Sequence, residues 1–390
     1  MSTSFRGPPA RCFPVLVDRF LMTASLPAKA LDTRSAVLGT ITQERGHGGI
    51  ARVSVLIWRA MEELVGNNRH VVALLKHSGR PARMEKLRFA WEVVGMQWRG
   101  EVKWILFDHL RTAAVQNLVP RSRRAPYAIF LHGVEVWCPL SPRQKRALRS
   151  ATIRIANSHF TAKRVAQTHP DIGSIEVCPL ALLEDTASWE APQTETVDSG
   201  LINRVGRSAV LIVGRMSSLE RYKGHDQLIA AWPMVRRFAP DAQLIITGTG
   251  DDVPRLQAAA AQTGCGEAIL FAGRVTDATL DMLYGHAAVF AMPGRGEGFG
   301  LVYLEAMCHG LPCIAGTQDA APEIVEQGKT GFLVDPDNIQ ELAETIIQLL
   351  ENPLLRKQMG EAGLRRSKTC FTFDQFKARF SSVMEPLLKL

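Results

Sequence analysis

The chain has 390 residues, 46% hydrophobic and 22% charged, which is the make-up of a folded protein too long for one ordinary core, so two domains of similar size are expected. No apolar run reaches the ~18 residues of a membrane helix, and the seven cysteines, odd in number and without Cys-x-x-Cys or zinc-like histidine spacing, exclude a disulfide framework and suit a reduced cytosolic chain. Residues 1–164 hold 27 Lys+Arg against 10 Asp+Glu, while 201–390 hold 19 against 21, so a net charge of +8 is concentrated in the first half.

Residues 1–34 are Pro-rich, contain arginines and lack a signal-type apolar core. They read as a disordered leader or as an upstream extension of a gene starting at Met22, with a transit peptide as the other reading. From Ser35 short apolar runs alternate with amphipathic stretches, the pattern of α/β proteins with doubly wound parallel sheets. The first half predicts strands at 36–41, 70–75, 103–108, 127–132, 153–157 and 175–179, with helices at 50–65, 81–98, 141–150 and 158–168. The second half predicts strands at 209–214, 242–248, 268–273, 287–292, 311–316 and 331–335. Its helices are expected at 223–239, 252–263, 277–286, 299–309, 319–326 and 338–351, followed by two more between 354 and 390.

These runs divide into a leader, 1–34, a domain at 35–190, a linker at 191–206, a domain at 207–370, and a last helix at 371–390 that can cross back to the first half. The acidic, aperiodic stretch 184–200 marks the join and a hinge. In doubly wound sheets ligands sit beyond the carboxyl ends of strands, so two such domains facing one another enclose a cleft.

Gly46-His47-Gly48-Gly49 follows the first strand and opens the first helix, as a turn or as backbone N–H groups offered to an anion. His132-Gly133 ends another strand on the same edge, where a histidine is either structural or functional. Arg215 ends the first strand of the second half and Lys223 begins the next helix; they are two surface cations or a diphosphate clamp. In Arg295-Gly296-Glu297-Gly298-Phe299-Gly300-Leu301-Val302-Tyr303-Leu304-Glu305, glycines at 298 and 300 admit a close ligand and precede a helix whose free N–H groups suit a diphosphate. Eight helical residues span roughly 12 Å, so Glu297 and Glu305 can grip the two ends of a nucleotide sugar. The adjacent acids Asp251 and Asp252 stand at a helix start, where capping is the simpler role.

Four motifs, VGRMSSLERYKG (213–224), FAGRVTD (271–277), PGRGEGFGLVYLEAMCHGLPCIA (293–315) and GKTGFLVDPDN (328–338), make residues 205–370 resemble the donor-binding half of the family 4 retaining glycosyltransferases (group 1 glycosyltransferases) of GT-B fold. GHGGIARV (46–53), FLHGVE (130–135) and ANSHFTAKR (156–164) extend the resemblance more loosely to residues 36–370. It implies two Rossmann-like domains about a cleft, and transfer of a hexosyl group from a nucleoside-diphosphate sugar to a glycan, lipid-linked or small hydroxylated acceptor. Cell-envelope or exopolysaccharide synthesis is the expected setting. Arg215 and Lys223 are then expected at the pyrophosphate with the amides of Gly300, Leu301 and Val302, while Gly298 and Phe299 complete the donor loop. Glu305 is expected at the ribose, Val275 at the nucleobase through its backbone, and Glu297 at the transferred sugar. Gly48 and Gly49 would approach the distal phosphate or the acceptor, and His132 would lie by the reacting carbon, making His132 and Glu297 the catalytic pair.

The resemblance also implies that no metal or other cofactor is required, because cations and helix dipoles carry the phosphate charge. Departing from the family, the chain reads Leu180-Ala181-Leu182-Leu183-Glu184-Asp185 where an asparagine-glycine-aspartate loop is usual. The basic first half suits an anionic membrane surface, an acidic acceptor or a merely solvated face; no nucleic-acid-binding pattern accompanies it. The expected location is cytoplasmic, peripheral to the inner face of the membrane. The rival readings are a sugar-nucleotide epimerase of the same fold and a non-catalytic nucleotide-sugar-binding subunit.

Overall fold

The computed structural model describes residues 34–42, 48–75, 81–183 and 196–389. The leader up to residue 33, Gly46-His47 and most of the acidic join lie outside the described residues. Six strands form the first sheet: β1 (Ser35–Thr42), β2 (Arg69–Leu75), β3 (Val102–Phe107), β4 (Tyr127–Leu131), β5 (Ile153–Ala156) and β6 (Glu176–Val177). All pair in parallel in the order β2-β1-β3-β4-β5-β6. Its helices are α1 (Gly49–Val65), α2 (Ala82–Trp98), α3 (Leu110–Ala113), α4 (Val134–Trp137), α5 (Pro142–Ser150) and α6 (His159–Thr168).

The short α7 (Ser199–Ile202) leads into the second sheet, made of β7 (Ala209–Val213), β8 (Gln243–Thr247), β9 (Ile269–Gly273), β10 (Val289–Met292), β11 (Cys313–Gly316) and β12 (Gly331–Val334). It too is parallel throughout, in the order β12-β11-β10-β7-β8-β9. Helices α8 (His225–Phe238), α9 (Val253–Gln262), α10 (Asp277–His286), α11 (Leu301–Cys308) and α12 (Ile339–Glu351) cover it. The tail forms α13 (Pro353–Cys370) and α14 (Phe373–Leu388). Where a helix is expected at 319–326, only the 3₁₀ turn Ala321–Glu323 forms. Asp319 accepts the N–H of Ala321 there, holding the chain in a turn instead of a full helix.

Strand order decides where a ligand can sit. In each sheet the chain leaves its first strand in one direction and returns on the other side, which opens a crevice between β1 and β3 and another between β7 and β10. Gly48-Gly49 lies beyond the first crevice, and Arg215 with the Pro293–Gly300 loop lies beyond the second.

One apolar cluster runs through both sheets. Leu56, Ile57, Ala60 and Met61 on α1 belong to it together with Phe376, Phe380, Met384 and Leu387 on α14, all at most 2% exposed. The last helix thus packs on α1 and β5, with Lys377 bonded to Glu63 at 2.7 Å. Phe376 and Phe380 stack at 5.5 Å inside this cluster. A second cluster, with Phe89, Val93, Ile105 and Leu148, fills the opposite face of the first sheet. Phe380→Ala is expected to lower unfolding free energy by about 3–5 kcal/mol through cavity formation, read from the urea midpoint.

Candidate functional site

The two loops at the second crevice are bonded to each other. Lys223 lies in the 3₁₀ turn Arg221–Lys223 just ahead of α8 rather than inside the helix, and Gly224 turns left-handed at φ 96°. A Cβ on Gly224 would sit 2.8–2.9 Å from Pro293, so the turn lies flat on the loop that follows β10. The Arg295 N–H donates to the Tyr222 carbonyl at 3.0 Å. This contact brings Lys223 Nζ to 3.3 Å from Glu297 Oε2 and 4.0 Å from Glu220. The glutamate beside it holds the Lys223 ammonium above its ordinary pKa. Arg215, 69% exposed, pairs with the same Glu220 at 2.5 Å, so cations and carboxylates alternate along the second lobe's edge of the cleft.

Behind Glu297 lies Asp319, which sequence reading did not single out. One of its carboxylate oxygens accepts the Glu297 N–H at 3.0 Å and the other the Ala321 N–H at 2.9 Å. Burial overrides these two bonds and pushes its pKa up to about 7.

α11 begins at Leu301, after Gly300 takes a left-handed φ of 97°. The N–H groups of its first turn, including those of Leu301 and Val302, have no acceptor within the helix. The Phe299 side chain is 3% exposed and meets Phe371 edge-on at 6.1 Å, so only its backbone can face a ligand. Further along, Glu305 accepts from Tyr284 Oη at 2.9 Å and pairs with Arg52, which reaches across from α1. Arg52 also lies 3.9 Å from Asp277, two residues beyond the half-buried Val275. Arg52 stands inside the GHGGIARV motif without having been singled out, and Tyr284 belongs to none of the motifs.

His132 comes from the other side. It follows β4, its N–H donates to Glu135 at 2.6 Å, and its Nε2 lies 2.5 Å from the Asp108 carbonyl. A carbonyl can only accept, so Nε2 carries the proton in that contact. Beneath it, Thr40 and Ser54 donate to the Asp108 carboxylate, whose pKa burial raises. Gly48 takes φ 89° and Gly49 starts α1; both are exposed, with open space where a Cβ would be.

Gly298 was expected to admit a ligand. Instead its bare α-carbon faces the first lobe: a Cβ would fall 1.7 Å from the His132 carbonyl. Ser158 and Thr161 hydroxyls donate to the Gly298 carbonyl at 2.7 and 3.2 Å. Glu323 caps α6 across the same junction, accepting the N–H groups of His159 and Phe160 at 2.9 and 2.7 Å. His132 and Glu297 are therefore brought together by backbone contact. Asp252, expected to cap α9, makes no capping bond; it accepts from Arg221 and Arg255 at about 3 Å. Beyond Gly296 a cavity of about 260 Å³ opens between the lobes, lined by Trp137, Phe160 and Arg164 on one side and Tyr222 and Arg295 on the other.

Two doubly wound lobes facing a cleft, with paired cations and a helix N-terminus at its edge, define a class of nucleotide-sugar-binding proteins. The profile of glycosyl transferases group 1 matches residues 203–366. A GDP-mannose-dependent alpha-(1-6)-phosphatidylinositol monomannoside mannosyltransferase of Mycolicibacterium smegmatis is 34% identical over 265 residues, covering 64% of this chain and 68% of its own. A phosphatidyl-myo-inositol mannosyltransferase of Mycobacterium leprae is 37% identical over 161 residues, 41% of each chain. Anabaena HepE in complex with UDP superposes with TM-score 0.68 at 19% identity, over 90% of this chain and 100% of that one. Sucrose-phosphate synthase from Thermosynechococcus elongatus does so with TM-score 0.69 at 18% identity, over 91% and 100%. The chain belongs to the group 1 glycosyltransferases and has their GT-B fold.

Asp319 gives the site a pH signature. Its carboxyl rises from the ordinary 3.8 to about 7 on folding, so the native state favours the protonated form. The stability it contributes is whole below about pH 4 and is lost as pH rises through about 7. Asp319→Asn is expected to flatten the dependence of unfolding free energy on pH between about 4 and 7, measured by urea titration at each pH.

Proposed function

We propose that this chain is a retaining hexosyltransferase whose second lobe (207–370) holds a nucleoside-diphosphate sugar and whose first lobe (35–190) presents the acceptor, with residues 371–390 tying the two together. The observation that carries the reading is Lys223 at 3.3 Å from Glu297, at the junction where Gly298 touches His132. A diphosphate arriving there takes Lys223 from Glu297 and Arg215 from Glu220, and the freed Glu297 turns to the hydroxyls of the sugar. The amides of Gly300, Leu301 and Val302 add the helix dipole. Glu305 takes the ribose, the backbone at Val275 the base, Gly48 and Gly49 the distal phosphate or the acceptor, and Gly298 and Phe299 contribute backbone alone.

In the reaction, the acceptor oxygen bonds to the anomeric carbon on the face from which the diphosphate leaves, as the bond from that carbon to the phosphate oxygen breaks. The leaving phosphate oxygen takes the acceptor's proton, and no enzyme nucleophile is used. Arg215, Lys223 and the start of α11 stabilise the growing negative charge, so no metal is needed for that task. His132, fixed through Nε2, offers Nδ1 to a hydroxyl beside the reacting carbon.

The relatives' names make GDP-mannose the first donor to test and a phosphoinositol-bearing lipid the first acceptor, in cell-envelope synthesis at the inner face of the membrane. Among GDP, UDP and ADP, GDP is expected to raise the melting temperature most. Glu297→Ala is expected to abolish mannosyl transfer while keeping that shift. Lys223→Ala is expected to lower kcat/KM roughly 10²–10³-fold, by analogy with removal of one preorganised charge-stabilising donor. A variant at Glu297 with full turnover, or Lys223→Ala with unchanged kcat/KM in steady-state assays, would contradict the assignment.

A further inference from the structure

The Glu297 backbone is held by a closed circuit of hydrogen bonds that passes through both lobes. Within the second lobe, Asp319, 3% exposed, accepts the Glu297 N–H at 3.0 Å, and its neighbour Ala320 donates an N–H to the Glu297 carbonyl at 3.1 Å. Both polar groups of that peptide thus end on one dipeptide. The same dipeptide opens the 3₁₀ turn Ala321–Glu323: the other Asp319 oxygen takes the Ala321 N–H, and the Ala320 carbonyl takes the Glu323 N–H at 3.0 Å. Arg366 on α13 anchors the turn from behind, donating to the carbonyls of Glu323 and Ile324 at 2.9 and 2.8 Å.

From this turn the Glu323 carboxylate reaches the other lobe. It accepts the first two N–H groups of α6, those of His159 and Phe160, which have no acceptor inside the helix, and its charge suits the helix dipole. The same end of α6 returns the circuit, because Ser158 and Thr161 donate to the carbonyl of Gly298, the residue after Glu297. Asn157, one residue ahead, donates at 2.8 Å to the His132 carbonyl, which lies against the Gly298 α-carbon. Apolar contact through α1 and α14 already joins the lobes. What hydrogen bonds add is direction, since they weaken steeply when misaligned.

We propose that Asp319 and Glu323 are positioning residues for sugar transfer: seating α6 on the turn aims Glu297 at the donor sugar, so only lobes in contact are competent for the transfer step. This rests on the sugar-binding role proposed for Glu297. Parting the lobes breaks the links from Glu323 to α6 and from α6 to Gly298 together, and leaves the glutamate held by Asp319 and Ala320 alone. Nucleotide binding draws on Arg215, Lys223 and the start of α11, all in the second lobe, so it survives the parting.

The test has two arms, both on the full chain. In steady-state transfer from GDP-mannose, Asp319→Asn and Glu323→Gln are each expected to lower kcat roughly tenfold or more, the scale of a slightly misplaced reacting group. The donor KM should stay within about twofold of the parent's and the GDP melting shift should persist, because the nucleotide-binding groups are untouched. Glu323→Asp, which keeps the charge at α6, should lie closer to the parent than Glu323→Gln. The second arm is hydrogen exchange read by mass spectrometry without ligand. Glu323→Gln should speed exchange in the peptide holding Glu297, and Asp319→Asn in the peptide holding His159 and Phe160, since coupling between two places is reciprocal. Thermal melting of each variant checks that it is folded. Folded variants with the parental kcat, a loss carried by KM alone, or exchange that changes only beside the substituted residue would overturn the proposal. A parent that GDP fails to stabilise, or Glu297→Ala with full turnover, would instead sink the donor reading and leave the exchange arm to judge the circuit.

Discussion

A lysine and a glutamate held against each other in a half-buried cleft are the interaction around which the second lobe is arranged. Lys223 and Glu297 come from opposite sides of the β7/β10 crevice, and each is mostly withdrawn from solvent, 17% and 22% exposed. Partly desolvated charges are tolerated only when compensated, and removing one partner leaves the other uncompensated. Here the compensation is provisional. On the proposed function, a diphosphate, with more negative charge than one carboxylate, takes the lysine, and the displaced carboxylate turns to hydroxyl donors on the sugar. The run Arg215, Glu220, Lys223, Glu297 pairs two cations with two carboxylates, and the proposed function has these exchange partners when a donor binds.

That exchange requires the backbone to hold still, and the rigidity comes from close approaches that only glycine permits. Gly224 lies on Pro293, and Gly298 lies on the His132 carbonyl with Ser158 and Thr161 fastening its own carbonyl. The first of these sets the lysine, and the second sets the His132 backbone of the other lobe against the residue after Glu297. Glu323, by capping α6, and Arg52, by reaching Glu305, fasten the lobes at two more points. α14 closes the circuit on α1, away from the cleft.

Much of this was legible in the sequence, for a physical reason: strands buried on both faces write continuous apolar runs, and each predicted strand of the second half overlaps an observed one, from β7 to β12. The family was legible because four glycine- and charge-bearing motifs stand in order between 213 and 338. What escaped reading depends on partners far apart in the chain. Asp319 matters because it lies under Glu297, Glu323 because α6 begins opposite it, and Tyr284 because Glu305 faces it from another helix. For Phe299 and Gly298 the sequence did not show what packing adds: the Phe299 ring belongs to the core, and the missing side chain of Gly298 makes room for the first lobe. Asp252, beside a helix start, looked like a cap only because the arginines that engage it, at 221 and 255, cannot be placed from local spacing.

The most direct measurement is a crystal structure of the chain soaked with GDP-mannose. The account predicts Lys223 Nζ and the Arg215 guanidinium within hydrogen-bonding distance of phosphate oxygens, with the Glu297 carboxylate turned from Lys223 to the sugar hydroxyls. A bound nucleotide sugar that leaves Lys223 paired with Glu297 and Arg215 with Glu220, its diphosphate lodged elsewhere, would contradict it.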